Sequence, residues 1–283
     1  MATLKFMLVL AAGLLATYAA MVCVLWAIQD RLLFPAPMAA NAGTPLPGDA
    51  PRLTITTTDG WEIHGVRLAP PATSIMERVI ILGFGGNAWN AEDAAAYLFT
   101  LYPQAEVVAF HYRGYHPSTG RASVDALVAD APLIYDKVRE EADRQAPGVR
   151  IVAAGFSIGS GVAVHLARER KLDGLLLVTP FDSLAELAAH HFPWVPAAQL
   201  IRNPMRNGEL LRDLDVPSAF IAAERDEIIP RERTSLMRGA AKRMVYSRTI
   251  KDAGHNDIYQ RGDFAVAMRE ALAAIESAWH EAP

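Results

Sequence analysis

From Val149 to Ala167 the chain reads VRIVAAGFSIGSGVAVHLA, and the fold turns on this stretch. Val149–Ala154 is a short run of small and β-branched apolar residues with the character of a strand buried on both faces. Ile158–Arg170 then reads as an apolar helix. Between them lies Gly155-Phe156-Ser157-Ile158-Gly159. As letters alone, G-x-S-x-G would arise by chance in about one chain in ten of this length, given residue frequencies near 7%. Its place between a buried strand and a helix is far rarer. A serine on so sharp a turn stands above the sheet, with small neighbours that let backbone segments approach and with the next N–H, that of Ile158, beside any developing oxyanion. The competing reading is an ordinary glycine-rich strand-to-helix turn.

Outward from that turn the pattern repeats. Val79–Leu82 is followed by a helix over Ala91–Leu101, Glu106–Phe110 by one over Ala122–Arg144, and Leu175–Val178, Ala219–Ala222 and Met244–Thr249 are further strands. A last amphipathic helix covers Phe264–Trp279. Ahead of all these, Leu53–Thr58 and Trp61–Leu68 read as two strands joined at Asp59-Gly60, a hairpin signal. Such alternation predicts an α/β fold: a mostly parallel, twisted sheet with helices on both faces, and chemistry in the loops after the strands.

A neutral serine hydroxyl needs a base and an acid to orient that base. On sheets carrying such an elbow the partners follow in the order serine, acid, histidine. His255, in Asp252-Ala253-Gly254-His255-Asn256-Asp257, lies after the last strand and before the last helix, where the base belongs. Asp226, after Ala219–Ala222, is the candidate acid; Glu224 and Asp182 are alternatives, and Asp182-Ser183 also reads as a helix cap. The second oxyanion donor is expected from Gly83-Phe84-Gly85-Gly86-Asn87-Ala88-Trp89-Asn90, at the N–H of Asn87, with Gly86 and Trp89 facing substrate. The same loop also matches the dinucleotide pattern G-x-G-x-x-A, with Arg113 as a possible partner for a phosphorylated ribose, a short pattern without the acid that usually follows.

Phe6–Ile28 carries no charge over 23 residues. As a helix it rises about 34 Å, against a hydrocarbon core of about 30 Å. An uncleaved single-pass anchor fits better than a cleaved signal, because apolar residues continue well past Tyr18-Ala19-Ala20, and Val22 before Cys23 is too large for a lipidation site. The amino terminus and Lys5 favour a cytoplasmic start and an extracytoplasmic domain. The expected organisation is an anchor over 1–30, a tether over 31–51 and a catalytic domain over 52–283, with a small cap near 181–213.

Composition removes other classes. A net charge of −4 argues against an electrostatic nucleic-acid binder, which would need a basic face. A single Cys permits no internal disulfide, and no Cys/His cluster has zinc-ligand spacing, so no metal is expected.

The ordered motifs resemble the BEM46-like branch of the α/β-hydrolase superfamily, which includes membrane-anchored ABHD-type enzymes. Gln29-Asp30-Arg31-Leu32-Leu33-Phe34-Pro35 is similar to that branch's post-anchor segment. Gly86-Asn87-Ala88-Trp89-Asn90 resembles its oxyanion loop, HGNAGN, with Gly85 in place of the His and Trp89 in place of the second Gly. Tyr112-Arg113-Gly114-Tyr115 matches another segment, with His111 where Asp is usual. The serine turn, Thr179-Pro180-Phe181-Asp182-Ser183-Leu184, Glu224–Pro230 and Gly254-His255-Asn256-Asp257 follow in order. The resemblance implies hydrolysis of esters or thioesters through an acyl-enzyme, without metal or organic cofactor, by Ser157, Asp226 and His255, on small-molecule, lipid or acylated substrates. A catalytically silent member serving as a binding or scaffolding module is the alternative. The interval of about 39 residues before the strand at Ser218 leaves room for a small apolar cap, in which Phe192, Trp194 and Leu200 either line an acyl pocket or pack a helix down.

Overall fold

The computed structural model describes residues 1–40, 45–70, 79–145 and 148–281. Helix α1 (Ala2–Leu33) leads into the hairpin β1 (Arg52–Thr56) and β2 (Glu62–Leu68). Then follow β3 (Val79–Phe84), α2 (Ala91–Leu101), β4 (Glu106–Phe110), α3 (Val124–Gln145), β5 (Arg150–Phe156) and α4 (Ile158–Glu169). After β6 (Gly174–Val178) come three short helices, α5 (Leu184–His191), α6 (Ala197–Leu200) and α7 (Asn207–Leu211). The chain closes with β7 (Ser218–Ala223), α8 (Arg231–Ala240), β8 (Met244–Ile250) and α9 (Gly262–His280).

Among the described residues the strands form one eight-stranded sheet in the order β1-β2-β4-β3-β5-β6-β7-β8. β2 runs antiparallel to both β1 and β4, and the pairs from β4 through β8 are parallel. The predicted α/β architecture is therefore what the chain adopts, preceded by a long apolar helix. Strands β3, β6 and β7 are buried along their whole length, and β5 from Ile151 onward, which is why they read as unbroken apolar runs rather than alternating ones. Successive residues feed opposite layers. Ile80 and Leu82 pack with α3 and α4 on one face, while Ile81 and Val152 pack with α2 and α9 on the other.

The strand order locates the site. From β3 the chain moves outward to β4, then crosses back to place β5 on the other side of β3. Phe84 at the end of β3 pairs with Gly155 near the end of β5. The loops after these two strands thus leave the sheet side by side and diverge, forming the crevice expected where strand order reverses.

Helix α1 extends to Leu33, and Phe34 beyond it is only 4% exposed, seated in the core. The N-terminal part of α1 stands clear of the rest of the chain, with Phe6, Leu8 and Val9 exposed; it is long and apolar enough to cross a membrane by length and composition.

Candidate active site

Ser157 sits between β5 and α4 with φ 51° and ψ −117°, a backbone region costing about 1–3 kcal/mol for a non-glycine residue. The surroundings hold it there. Its N–H donates to the Val178 carbonyl (2.9 Å), and its carbonyl accepts from the N–H (2.9 Å) and the hydroxyl (2.6 Å) of Ser160. The flanking glycines are required by contact. A Cβ at Gly159 would overlap the Phe84 carbonyl oxygen and come within 2.6 Å of that of Gly85; one at Gly155 would strike the Gly159 carbonyl and lie 2.6 Å from Ser160 Cα. Because the obstructing atoms are backbone, Gly159→Ala is expected to destabilise the fold by at least the upper end of the ~1–3 kcal/mol range for overpacking. Thermal unfolding measures this, and a melting temperature equal to wild type would refute the close approach.

His255 lies on the loop between β8 and α9. Its Nε2 is 3.1 Å from Ser157 Oγ, and its Nδ1 is 2.9 and 3.0 Å from the two carboxylate oxygens of Asp226. With Nδ1–H donated to Asp226, Nε2 is left to accept the serine proton. Both side chains are nearly buried, at 9% and 5% exposure. Asp226 also accepts from the N–H groups of Ile228 (2.9 Å) and Ile229 (2.6 Å), so its carboxylate is aimed by its own turn. Two neighbouring acids hold the histidine loop: Glu227 accepts from the His255 N–H (3.0 Å) and Glu224 from the Asp252 N–H (2.9 Å). Glu224 is thus engaged on backbone. Asp182 faces Arg233 at 3.3 Å, and Ser183 beside it caps α5 by accepting from the Glu186 N–H.

The loop after β3 lies directly over the serine. A Cβ on Gly86 would stand 4.0 Å from Ser157 Cβ and from the Phe156 carbonyl. Among the described residues nothing accepts from the N–H of Asn87 or of Ile158. The side chain of Asn87 turns away from the serine and donates to the Leu33 carbonyl at the end of α1 (2.9 Å). Trp89 is packed against Phe156 (ring centroids 5.1 Å apart), Tyr259 and Tyr97.

Two residues that motif reading left without a role explain how this loop keeps its shape. Tyr112 donates its hydroxyl to the Gly85 carbonyl (2.7 Å), and Tyr115 donates to that of Asn87 (2.6 Å). Burial raises the pKa of both phenols, keeping them protonated as donors. The signal in the sequence was the pair itself, two tyrosines spaced three apart just beyond a strand end. Arg113 between them is committed to Asp130 and Asp59, so it is not free for a ribose phosphate.

His111 is buried just before these tyrosines, and its Nδ1 has no partner among the described residues. Burial is the main cause that pushes its pKa down to about 4; Arg52, His116 and His64 push the same way, and Glu92 opposes. The unfolded chain, near 6.5, therefore takes up a proton that the folded chain refuses. The contribution is fully present above about pH 6.5 and is lost as pH falls toward 4, by on the order of 3 kcal/mol. Melting temperature against pH should fall less steeply over that window in His111→Asn than in wild type; parallel curves would refute it.

No family model matches this chain. An uncharacterized protein of Mycobacterium tuberculosis is 31% identical over 239 residues, covering 82% of each chain. The protein Bem46 of Schizosaccharomyces pombe is 25% identical over 249 residues, again covering 82% of each. The chain belongs to the Bem46-like α/β-hydrolases. Among solved structures, a serine hydrolase without lid from Xanthomonas campestris superposes on the Bem46-like chain with a TM-score of 0.58 at 18% identity, covering 82% of this chain and 97% of that one. At that identity the likeness speaks to the fold. In the Bem46-like chain the interval between β6 and β7 holds only the short helices α5, α6 and α7, with Phe192 and Trp194 exposed at their edge.

Proposed function

We propose that this chain is a serine hydrolase that cleaves carboxylic ester or thioester bonds through an acyl-enzyme. The observation that carries the reading is the unbroken hydrogen-bond chain from Ser157 Oγ through His255 to Asp226. Ser157 Oγ attacks the carbonyl carbon while its proton passes to His255 Nε2. The resulting oxyanion is held by the N–H groups of Ile158 and Asn87, donors worth roughly 3–4 kcal/mol where charge develops. The bond to the leaving group then breaks, and His255 delivers its proton to that group. Water attacks the acyl-enzyme by the same route, giving its proton to His255, which returns it to Ser157. Asp226 holds the imidazole in the tautomer these steps need. Gly86 and Trp89 are the residues of the loop after β3 that face substrate in this reading, Gly86 by leaving open the space above Ser157.

Helix α1 is read as a single-pass anchor, with the catalytic domain outside the cytoplasm, supported by the uncovered apolar stretch and by Lys5 at its start. The expected partition is an anchor over 1–30, a short connection to 51, and a hydrolase domain from 52 with its cap near 181–213.

A fluorophosphonate probe tests the chemistry. The folded wild type is expected to gain one phosphonyl adduct, placed on Ser157 by peptide mass spectrometry. A folded wild type that takes no label would leave the catalytically silent, binding-module reading in its place.

A further inference from the structure

Between α1 and the short helices after β6 lies a cavity of about 210 Å³. Val22, Leu25 and Leu33 form part of one wall, and Ala188, Phe192 and Leu200 part of the other. Gln29 is the single polar side chain among the described lining residues, and its side chain lies across to the Leu200 carbonyl (3.4 Å) and the Arg202 N–H (2.9 Å). Arg202 fastens the two walls further, pairing with Asp30, donating to the Trp26 carbonyl (3.0 Å) and lying 4.9 Å from the Trp26 ring centre.

Both walls are tied to loops of the candidate active site. Leu33, which lines the cavity, accepts at its carbonyl from Asn87, and Gly86 next to Asn87 stands over Ser157. On the other side His191, at the end of α5, is 2.7 Å from the Ile228 carbonyl, and the Ile228 N–H donates to Asp226. One wall is thus hydrogen-bonded to the oxyanion loop and the helix of the other to the loop of the acid.

Its rim points along the apolar helix. Tyr18 donates to the Trp194 carbonyl (2.9 Å), eight residues from Trp26 and so about 12 Å further along the uncharged stretch. Phe192 and Trp194, 40% and 50% exposed, stand at that level. With α1 in a bilayer and Trp26 near the interface, these side chains lie among acyl chains.

We propose that this cavity is the acyl-chain subsite of the hydrolase, filled from within the bilayer by one medium-length chain of a lipid ester. The inference rests on the hydrolase reading above and adds the substrate's class and its route. A cavity of about 210 Å³ suits one acyl chain and not a whole two-chain lipid. A nearly unbroken apolar lining favours a hydrocarbon over a polar group, which would lose its hydrogen bonds to water there.

The test uses full-length Ser157→Ala protein in phosphatidylcholine vesicles with an octanoyl glycerol ester bearing a diazirine at the chain end. Irradiation is expected to leave adducts within 22–33 and within 188–201. Adducts confined to other surfaces, or none, would overturn the subsite. Adducts from an S-octanoyl peptide but not from the glycerol ester would overturn the lipid source. Wild-type labelling by fluorophosphonate reports separately on the hydrolase reading, so the two can fail independently. In an otherwise wild-type protein, Ala197→Trp, which fills the cavity, should lower the ratio of octanoate to acetate kcat/KM at least tenfold. An unchanged ratio would count against the cavity as the chain's seat.

Discussion

Ser157→Ala is expected to lower kcat for a short p-nitrophenyl ester by at least ~10⁴-fold, and up to ~10⁶-fold, the range in which loss of a serine nucleophile falls. The substitution removes the atom that forms the covalent bond in the proposed mechanism and leaves nearly everything else in place. The Ser157 side chain makes no capping bond to α4, so the helix loses nothing with it. The backbone contacts that hold the turn, to Val178 and Ser160, do not involve Oγ. Melting temperature should therefore stay close to wild type while turnover disappears. The two measurements belong together. A variant that loses activity by unfolding says nothing about the nucleophile, and a folded variant with ordinary turnover would end its candidacy.

The second large effect separates two carboxylates. Asp226→Asn should reduce kcat by about 10⁴-fold. The amide presents N–H to Nδ1 where the carboxylate accepted, so the imidazole is driven to carry its proton on Nε2, the nitrogen that must receive the serine proton. Asp182→Asn should change turnover by less than about threefold, since Asp182 is spent on Arg233 and its neighbour on capping α5. Its cost should appear instead as a lower melting temperature, from a weakened ion pair whose partners are each only about 15% exposed. Steady-state kinetics with the same ester on both variants decides the matter. If Asp182→Asn is the crippled one, the acid has been misassigned.

Much of this was legible in the residues. The strand-turn-helix at Ser157 could be read because β5 is buried on both faces and α4 begins at once, leaving the glycines no other use. The order of serine, acid and histidine followed from where loops fall after strands. Sheet order was less legible: nothing local in Val79–Phe84 or Arg150–Phe156 says that the two strands are neighbours, and that pairing brings Gly86 over Ser157. Long-range hydrogen bonds were hidden for the same reason. Tyr112 and Tyr115 reach back 27 and 28 residues to brace the Gly85–Asn87 loop; their pairing is visible in the sequence, but the carbonyls they reach are not. Nor did composition reveal that Asn87 would join the oxyanion loop to Leu33, 54 residues earlier. The stretch from Arg31 to Pro51 reads as a tether because it is rich in Pro, Ala and Gly; at its start the structure carries helix through Leu33 and sets Phe34 in the core, while 41–44 lie outside the described residues.

Under the anchoring proposed above, that junction leaves no slack between membrane and domain. From Trp26 to Leu33 the helix rises only about 10 Å, and it ends on a buried side chain instead of a swivel. With the activity proposed above, the chain then works as a depth gauge. Bonds are chosen first by how far they lie from the bilayer surface, and only afterwards by what flanks them.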